Sequence, residues 1–354
     1  MNGPGQAPTK AAVLELRNEQ VVVNEAYVFL DEKRLLLASE LLRQLRLYQE
    51  LGKELEDLEE WDKAFAAFEH GARARRSTIE YDEQGEIQTY AALDKLFTQS
   101  WMDSPGRGHD SDAPIFVVGL PRTGTTLTER IIASHSRVES ADESFFLQIA
   151  VRSASGVQSR EDVSTRMIRM AARENPAIIR RHYLSAIGYR LGGKPLFVEK
   201  YPLNFLYLGF IARAFPEARI VHLRRHPMDA CFAMYKQSFF RFAYTLDDLA
   251  EYYIAYDRLS RHWREHLGDR IVEVEYESLV SDPDARVREL LAGLGLEFEQ
   301  ACVDFHLNSA PSATASAVQI REKAHTRSVA RWKRFEKHLR PLCERLEQAG
   351  IRTG

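Results

Sequence analysis

Between Pro114 and His135 the chain reads PIFVVGLPRTGTTLTERIIASH. A short apolar run meets a glycine-containing turn, and beyond the turn Leu127, Ile131 and Ile132 share one helical face. The order implied is strand, phosphate-type loop, helix. This constrains the rest of the chain, because a strand that passes at once into a helix belongs with other strand–helix units rather than with hairpins.

The downstream sequence continues the alternation. RMIRMAARENPAIIRRHYLSAI has helical spacing, KPLFVEKYP is a buried strand ending in a turn, NFLYLGFIARAFP returns to helix, and ARIVHLRRHP is another strand. RIVEVEYESLVSDPDARVRELLAGLGL then gives strand, Pro-Asp turn and helix. The pattern predicts an α/β fold with a mostly parallel sheet flanked by helices. Its strands VVGL, LFVEK and IVHLR end beside polar or basic residues, and open α/β sheets bind ligands at those carboxyl ends.

Upstream, Ala11 to Leu96 is rich in Leu, Ala, Glu, Arg and Lys, with apolar residues at helical spacing. Tyr48, Leu51, Gly52, Leu55, Ala64, Phe68 and Gly71 have the spacing of one tetratricopeptide repeat. Because an array needs about three units to stand alone, a helical cap is favoured over an independent scaffold. Trp101–Pro114, WMDSPGRGHDSDAP, reads as a linker. With 354 residues and roughly 150 per domain, two domains are expected: a helical tetratricopeptide-like cap over 1–110 and an α/β domain over 111–354.

Composition removes several classes. Lys plus Arg total 48 against 51 Asp plus Glu, a formal charge of −3, so nothing attracts nucleic acid globally, although a local basic patch can still hold an anion. Cys231, Cys302 and Cys343 lack CxxC spacing and suit buried thiols in a reducing compartment. The first twenty or so residues lack a signal-peptide pattern, and no stretch reaches the ~18 apolar residues that span a bilayer. A cytoplasmic protein without a membrane span is expected, with room for a homo-oligomer.

The loop carries the first chemical signal. GLPRTGTT matches the G-x-x-x-x-G-K-[ST] phosphate loop except that Thr125 stands in the lysine position. Backbone N–H groups of such a turn and the N-terminus of the following helix cradle phosphate oxygens, while the Thr hydroxyls add donors. Arg122 can supply the cation that the missing lysine would have supplied. No separate element stands out as a magnesium-binding set, and Asp229 lies behind Arg225, His226 and Pro227, where a further basic group rather than a metal is expected.

These stretches resemble the sulfotransferases that use 3′-phosphoadenosine 5′-phosphosulfate (PAPS), most closely a bacterial branch with tetratricopeptide-like helices ahead of the catalytic domain. The resemblance rests on Pro114–His135, on FVEKYPLNFLYLGFIARAFPEARIVHLRRHPMD (Phe197–Asp229), on VEYESLVSDP (Val274–Pro283) and on the tail ATASAVQIREKAHTRSVARWKRFEKHL. It implies a P-loop-like sulfotransferase domain preceded by an α-helical domain, with PAPS as donor and PAP as product. It also implies that Arg122, Thr123, Gly124, Thr125 and Thr126 contact the 5′-phosphosulfate. Arg225 and Pro227 match the family's 3′-phosphate pattern, but Ala233 occupies the position of its serine. Arg224, His226, Tyr276, Arg321, Arg331 or Lys333 would have to compensate. Tyr276 resembles an aromatic that helps bind the nucleotide, with strand-end packing as its other reading, and most tail basic residues read equally as a solvated face.

Sulfuryl transfer needs fixed cations and backbone donors around the developing charge. The resemblance of EKYPLN makes Lys200 a second charge-stabilising candidate beside Arg122. It also likens the acidic position in ADES to the base of the protein-tyrosine sulfotransferases, with Glu143 better placed than Asp142; His135 and His226 are weaker alternatives. A small-molecule hydroxyl acceptor, such as a natural product or carbohydrate, is preferred, with the aromatics of YKQSFFRFAY (Tyr235–Tyr244) reading as either cleft or core. Two other classes share these residues: a kinase-like P-loop enzyme, opposed by Thr125, and an interaction protein with a degraded nucleotide site, suggested by Ala233.

Overall fold

The computed structural model describes residues 43–103, 114–158, 163–237, 239–308, 310 and 321–354, together with 30, 31, 33, 36, 37, 39 and 40. Most of the expected linker and the ATASAVQI portion of the tail lie outside these residues. The chain divides into two compact units, Met1–Ile79 and Glu80–Gly354.

In the first unit, helical residues 43–57 pair with helix α1 (Trp61–Arg76). Tyr48 meets His70 with ring centroids 4.4 Å apart. Gly52 lies against the Phe68 ring, and a Cβ at Gly71 would come 3.2 Å from that of Tyr48. These contacts run in opposite sequence directions, so the two helices are antiparallel, and their seam buries Leu45, Ala64, Phe65 and Phe68. Leu51, one of the residues with repeat-like spacing, is 48% exposed.

The second unit begins with α2 (Glu83–Leu96), whose N-cap Asp82 accepts from the Gly85 N–H. The elements that position the site follow: β1 (Ile115–Gly119), α3 (Thr125–Ala133), β2 (Val138–Ser140), α4 (Phe146–Ser155), α5 (Pro176–Ile187), β3 (Leu196–Lys200), β4 (Arg219–Arg224), α6 (Pro227–Tyr235), α7 (Leu246–Leu267), β5 (Ile271–Glu275), α8 (Tyr276–Ser281), α9 (Pro283–Gly293) and α10 (Glu336–Gln348). The strands form one sheet in the order β2-β3-β1-β4-β5, parallel at every pairing.

Alternation along β1 explains why this strand is apolar throughout. Ile115 and Val117 face a core with Ile131 and Ile132 of α3 and Leu290 and Leu291 of α9. Phe116 faces the other way, 5.7 Å from the ring of Tyr183 and 5.9 Å from that of Phe215. A parallel strand covered on both faces has no solvent side on which to place polar residues. On β4, Val221 and Leu223 join the first core, while His222 turns to α7 and its Nε2 lies 2.8 Å from the Tyr256 hydroxyl.

Helix α2 packs on α7. Tyr90 and Tyr252 meet edge-on at 5.6 Å, Arg258 bonds Asp94 at 2.7 Å, and the His262 ring lies 2.9 Å from the Phe97 carbonyl. The composition shift had set the expected cap boundary at residue 110. These contacts instead place α2 in the second unit, and the compact units divide at Ile79/Glu80. Among the described residues no helix is long and apolar enough to cross a membrane.

Candidate functional site

The chain leaves β1 towards β2 on one side of the sheet and leaves β4 towards β5 on the other. Strands β1 and β4 are neighbours, so the crevice beyond their carboxyl ends is the switch point at which sheets of this kind take a ligand. The loop at 119–126 and the turn at 225–227 flank that crevice.

The loop is built around its backbone. Gly119 has φ 148°, and a Cβ there would come 2.6 Å from the Leu223 carbonyl oxygen on β4. Arg122 takes a left-handed φ of 67°. Thr123 is buried, and its hydroxyl donates to the Leu120 carbonyl at 2.7 Å, closing the turn from inside. Gly124 caps α3 with φ 100°, and a Cβ on it would stand 2.5 Å from the Tyr276 ring. Thr125 and Thr126 open the helix and are buried. Left-handed backbone next to a helix N-terminus turns successive N–H groups toward one point and so favours an anion.

Arg225 ties this loop to two distant segments. Its guanidinium donates to the Arg122 carbonyl at 2.7 Å and to the Ser328 carbonyl at 2.6 Å, and it lies over the Tyr276 ring at 4.7 Å. Burial, followed by the nearby Arg225 cation, shifts Arg122 downward in pKa. Two like charges gathered at one crevice lower the local preference for cations and raise it for an anion.

The tail is held on the same turn. Asp229 accepts from the N–H of Ala330 at 2.6 Å and of Trp332 at 3.0 Å, and the Trp332 indole stacks on His226 at 5.6 Å. Asp229 therefore anchors backbone. In the short turn Arg331–Phe335, Trp332 and Phe335 are buried, whereas Lys333 and Arg334 face solvent. Arg321 is exposed too, and Arg224 lies 3.8 Å from Glu273.

A second group of residues gathers one strand away. Lys200 is paired in register with Val117 of β1 and, though 2% exposed, forms an ion pair with Glu143, which is 37% exposed. Segment 141–145 crosses the end of β3 to make this pair. The Ala141 N–H reaches the Val198 carbonyl at 2.9 Å, Asp142 turns through a left-handed φ of 59°, and its N–H bonds the Ser140 hydroxyl at 2.9 Å. Behind the ion pair, Ser144 donates to Glu199, and Tyr183 donates to the other oxygen of Glu199 at 2.9 Å. Burial raises the Glu199 carboxyl to about 7 against the pull of those two hydroxyls. Glu129 of α3, also buried, is raised by desolvation and eased by a bond from Ser140 and by the charges of Arg130 and Lys200.

An aromatic rim adjoins Glu143. Phe145, 55% exposed, meets Tyr201 edge-on at 4.9 Å, and Ile149 is exposed one helical turn further along α4. The segment 235–244, read as cleft or core, is mostly core: Tyr235, Phe242 and Tyr244 are buried, Phe242 stacks on Tyr252 at 3.4 Å, and Phe239 is exposed.

The fold thus brings Arg122, Gly124, Arg225 and Tyr276 into one group and Glu143 with Lys200 into another. His135 goes elsewhere. It follows the far end of α3, its Nε2 is 3.0 Å from the Glu297 carbonyl, and it is buried there. Sequence reasoning missed Glu199, Ser144, Glu129 and the anchoring role of Asp229. A carboxylate inside the apolar run LFVEK was the one available signal.

The profile of the sulfotransferase family matches residues 114–300, more than half of the 354. An uncharacterized protein of Aquifex aeolicus (strain VF5) is 31% identical over 317 residues, which cover 84% of this chain and 41% of that relative. The chain therefore spans less than half the length of that curated relative. Among solved structures, the sulfotransferase domain of the Synechococcus PCC 7002 olefin synthase is similar at 20% identity with a TM-score of 0.48, covering 64% of this chain and 90% of the domain. The sulfotransferase domain from the curacin biosynthetic pathway is 14% identical with a TM-score of 0.45, covering 68% and 97%. A mouse sulfotransferase complexed with PAP is 12% identical with a TM-score of 0.40, covering 72% and 89%.

Proposed function

The chain belongs to the sulfotransferase family, and on that premise we propose that it moves a sulfuryl group from PAPS to a hydroxyl of a small-molecule acceptor. The observation that carries this reading is the gathering of Arg122 and Arg225 around a glycine loop whose two positive-φ glycines leave no room for side chains. Residues of that loop fit a phosphosulfate: backbone N–H groups at 123–126, the Thr125 and Thr126 hydroxyls, and the Arg122 cation. Arg225 and Tyr276 fit the nucleotide end, with Ala233 contributing no hydroxyl there.

The donor supplies an activated sulfonate and leaves as PAP. On the chain's side, Arg122 and the loop N–H groups hold the leaving phosphate oxygens, and Lys200 faces the charge that builds on the transferred group. Glu143 takes the proton of the acceptor hydroxyl, since it is the more exposed partner of its ion pair and has access to an incoming molecule. The ring pair of Phe145 and Tyr201 beside it supports an acceptor with a flat apolar body. In the first unit, the fit of Gly52 to Phe68 and of Gly71 to Tyr48 supports reading the helix pair as tetratricopeptide-like.

The test combines two measurements on the purified chain. Calorimetry with PAP reports donor-site binding, and incubation of labelled PAPS with a panel of phenols, aliphatic alcohols and sugars reports transfer by product mass shift. Binding of PAP with sulfation of at least one hydroxyl class is the expected result. A folded protein that does not bind PAP overturns the assignment.

A further inference from the structure

Glu199 is wholly buried and Lys200 almost so, yet their side chains lie on opposite faces of the sheet because a strand alternates. Glu199 stands beside Phe116 in register. Its partner Tyr183 packs its ring 5.7 Å from Phe116, 5.2 Å from Phe215 and 6.5 Å from Phe197. A carboxylate in so aromatic a setting costs stability unless its oxygens are hydrogen-bonded. Both are, one by Tyr183 and the other by Ser144. Arg190, near enough to influence the charge of Glu199, donates to the Ala141 carbonyl at 3.2 Å.

Ser144 directly follows Glu143, as Lys200 directly follows Glu199. The segment crossing the end of β3 is thus fastened on both faces, by Glu143 to Lys200 on one and by Ser144 to Glu199 on the other. Backbone bonds hold the start of the crossing at Ala141 and Asp142, but beyond them a stretch fastened on one face alone can turn about the Glu143–Lys200 pair. Fastened on both, it presents the Glu143 carboxylate in one orientation.

We propose that Glu199 is a positioning residue that acts through Ser144 to fix the orientation in which Glu143 meets Lys200 and the acceptor. The kinetic consequence rests on the sulfotransferase reading above; the geometric one does not. Misplacing a reacting group by about 1 Å costs up to about a hundredfold. Ser144→Ala and Glu199→Leu should therefore each lower kcat by about 10- to 100-fold while PAP affinity stays within about twofold, because the loop at 119–126 is untouched. The double variant should be no worse than the poorer single variant, since both cut the same link. Glu199→Gln, whose amide oxygen still accepts from Ser144, should stay within about fivefold of the parent.

A crystal structure of Ser144→Ala should show the Glu143–Lys200 pair opened in an otherwise unchanged fold. Wild-type kcat in Ser144→Ala, multiplied losses in the double variant, a Glu199→Gln enzyme as damaged as Glu199→Leu, or an intact Glu143–Lys200 pair in that crystal would each overturn the proposal. If the parent sulfates nothing, the functional reading fails, and the crystal comparison alone still decides whether Ser144 and Glu199 set the pair.

Discussion

The loop at 119–126 and the crossing at 141–145 both serve the carboxyl end of the sheet, but they are made of different material. The first is shaped by main chain: two positive-φ glycines, an internal Thr123 hydrogen bond and a helix N-terminus, all within eight consecutive residues. The second is shaped by side chains that meet across a long sequence separation, Glu143 with Lys200 and Ser144 with Glu199. The shape of a loop built of backbone survives changes of side chain but not of conformation, even where a side chain such as that of Arg122 adds charge. One built of paired side chains should behave in the opposite way.

The sharpest break of this contrast is Gly124→Val. A β-branched residue at φ 100° is strained, and its Cβ meets the Tyr276 ring. PAP affinity should fall by about 100-fold or more, since backbone strain of roughly 1–3 kcal/mol is added to the loss of the cradle's shape. Calorimetry checks this, and a fall of less than about threefold would show that the loop does not depend on its glycines.

Arg122→Ala and Lys200→Ala come next, each expected to cut turnover by about 10² or more, the scale of one lost transition-state donor. The comparison predicts a split between them. Arg122→Ala should also weaken PAP binding, whereas Lys200→Ala should leave it nearly intact. Glu143→Gln should remove the acidic limb of the pH–rate profile, and an unchanged rate across neutral pH excludes Glu143 as base.

The third prediction separates charge from hydrogen bonding in the crossing. Burial holds the Glu199 carboxyl near 7, above its ordinary 4.5. Between those values the folded chain keeps a proton that the unfolded chain has released, so stability falls as pH rises through that window and stays lower above it. A neutral amide has no such slope. Glu199→Gln should therefore match the parent at pH ~5 and gain on it toward pH ~8, by up to about 3 kcal/mol. Thermal denaturation at the two pH values reads the difference, and a gap that shrinks with rising pH refutes it.

Phe145→Ala should have the smallest effect. It should raise acceptor KM by about fivefold, on the scale of one aromatic contact, and leave PAP binding unchanged.

The same contrast explains what could be read in the sequence. The strand–loop–helix order, the parallel sheet and the loop residues Arg122 to Thr126 are local, and local patterns of apolar period and glycine placement suffice to read them. Lys200 and Glu143 were legible as separate candidates, but their ion pair was not, because it depends on β2 and β3 lying side by side. Glu199 was hidden inside an apolar strand: nothing in LFVEK says which face its carboxylate takes or that Tyr183 and Ser144 await it. Asp229 suffered likewise. Its place behind Arg225, His226 and Pro227 argued against a metal but named no partner, and its partners are the N–H groups of Ala330 and Trp332, about a hundred residues on. The division into compact units at Ile79/Glu80 was hidden for a related reason: α2 looks like its helical neighbours upstream, but Tyr90 and Asp94 fit α7.

Strand β1 has Lys200 in register on one flank, through β3, and Arg225 just beyond its neighbour β4 on the other. On the proposed reading it acts as a partition wall, with the side chains assigned to the donor on one side and those assigned to the acceptor on the other. Such a layout is modular. On that reading, the exposed rim residues Phe145 and Ile149 can change the acceptor's surroundings while Glu143, Ser144, the turn at 225–229 and the glycine loop stay as they are. Acceptor range could then shift without rebuilding the half of the site assigned to the donor.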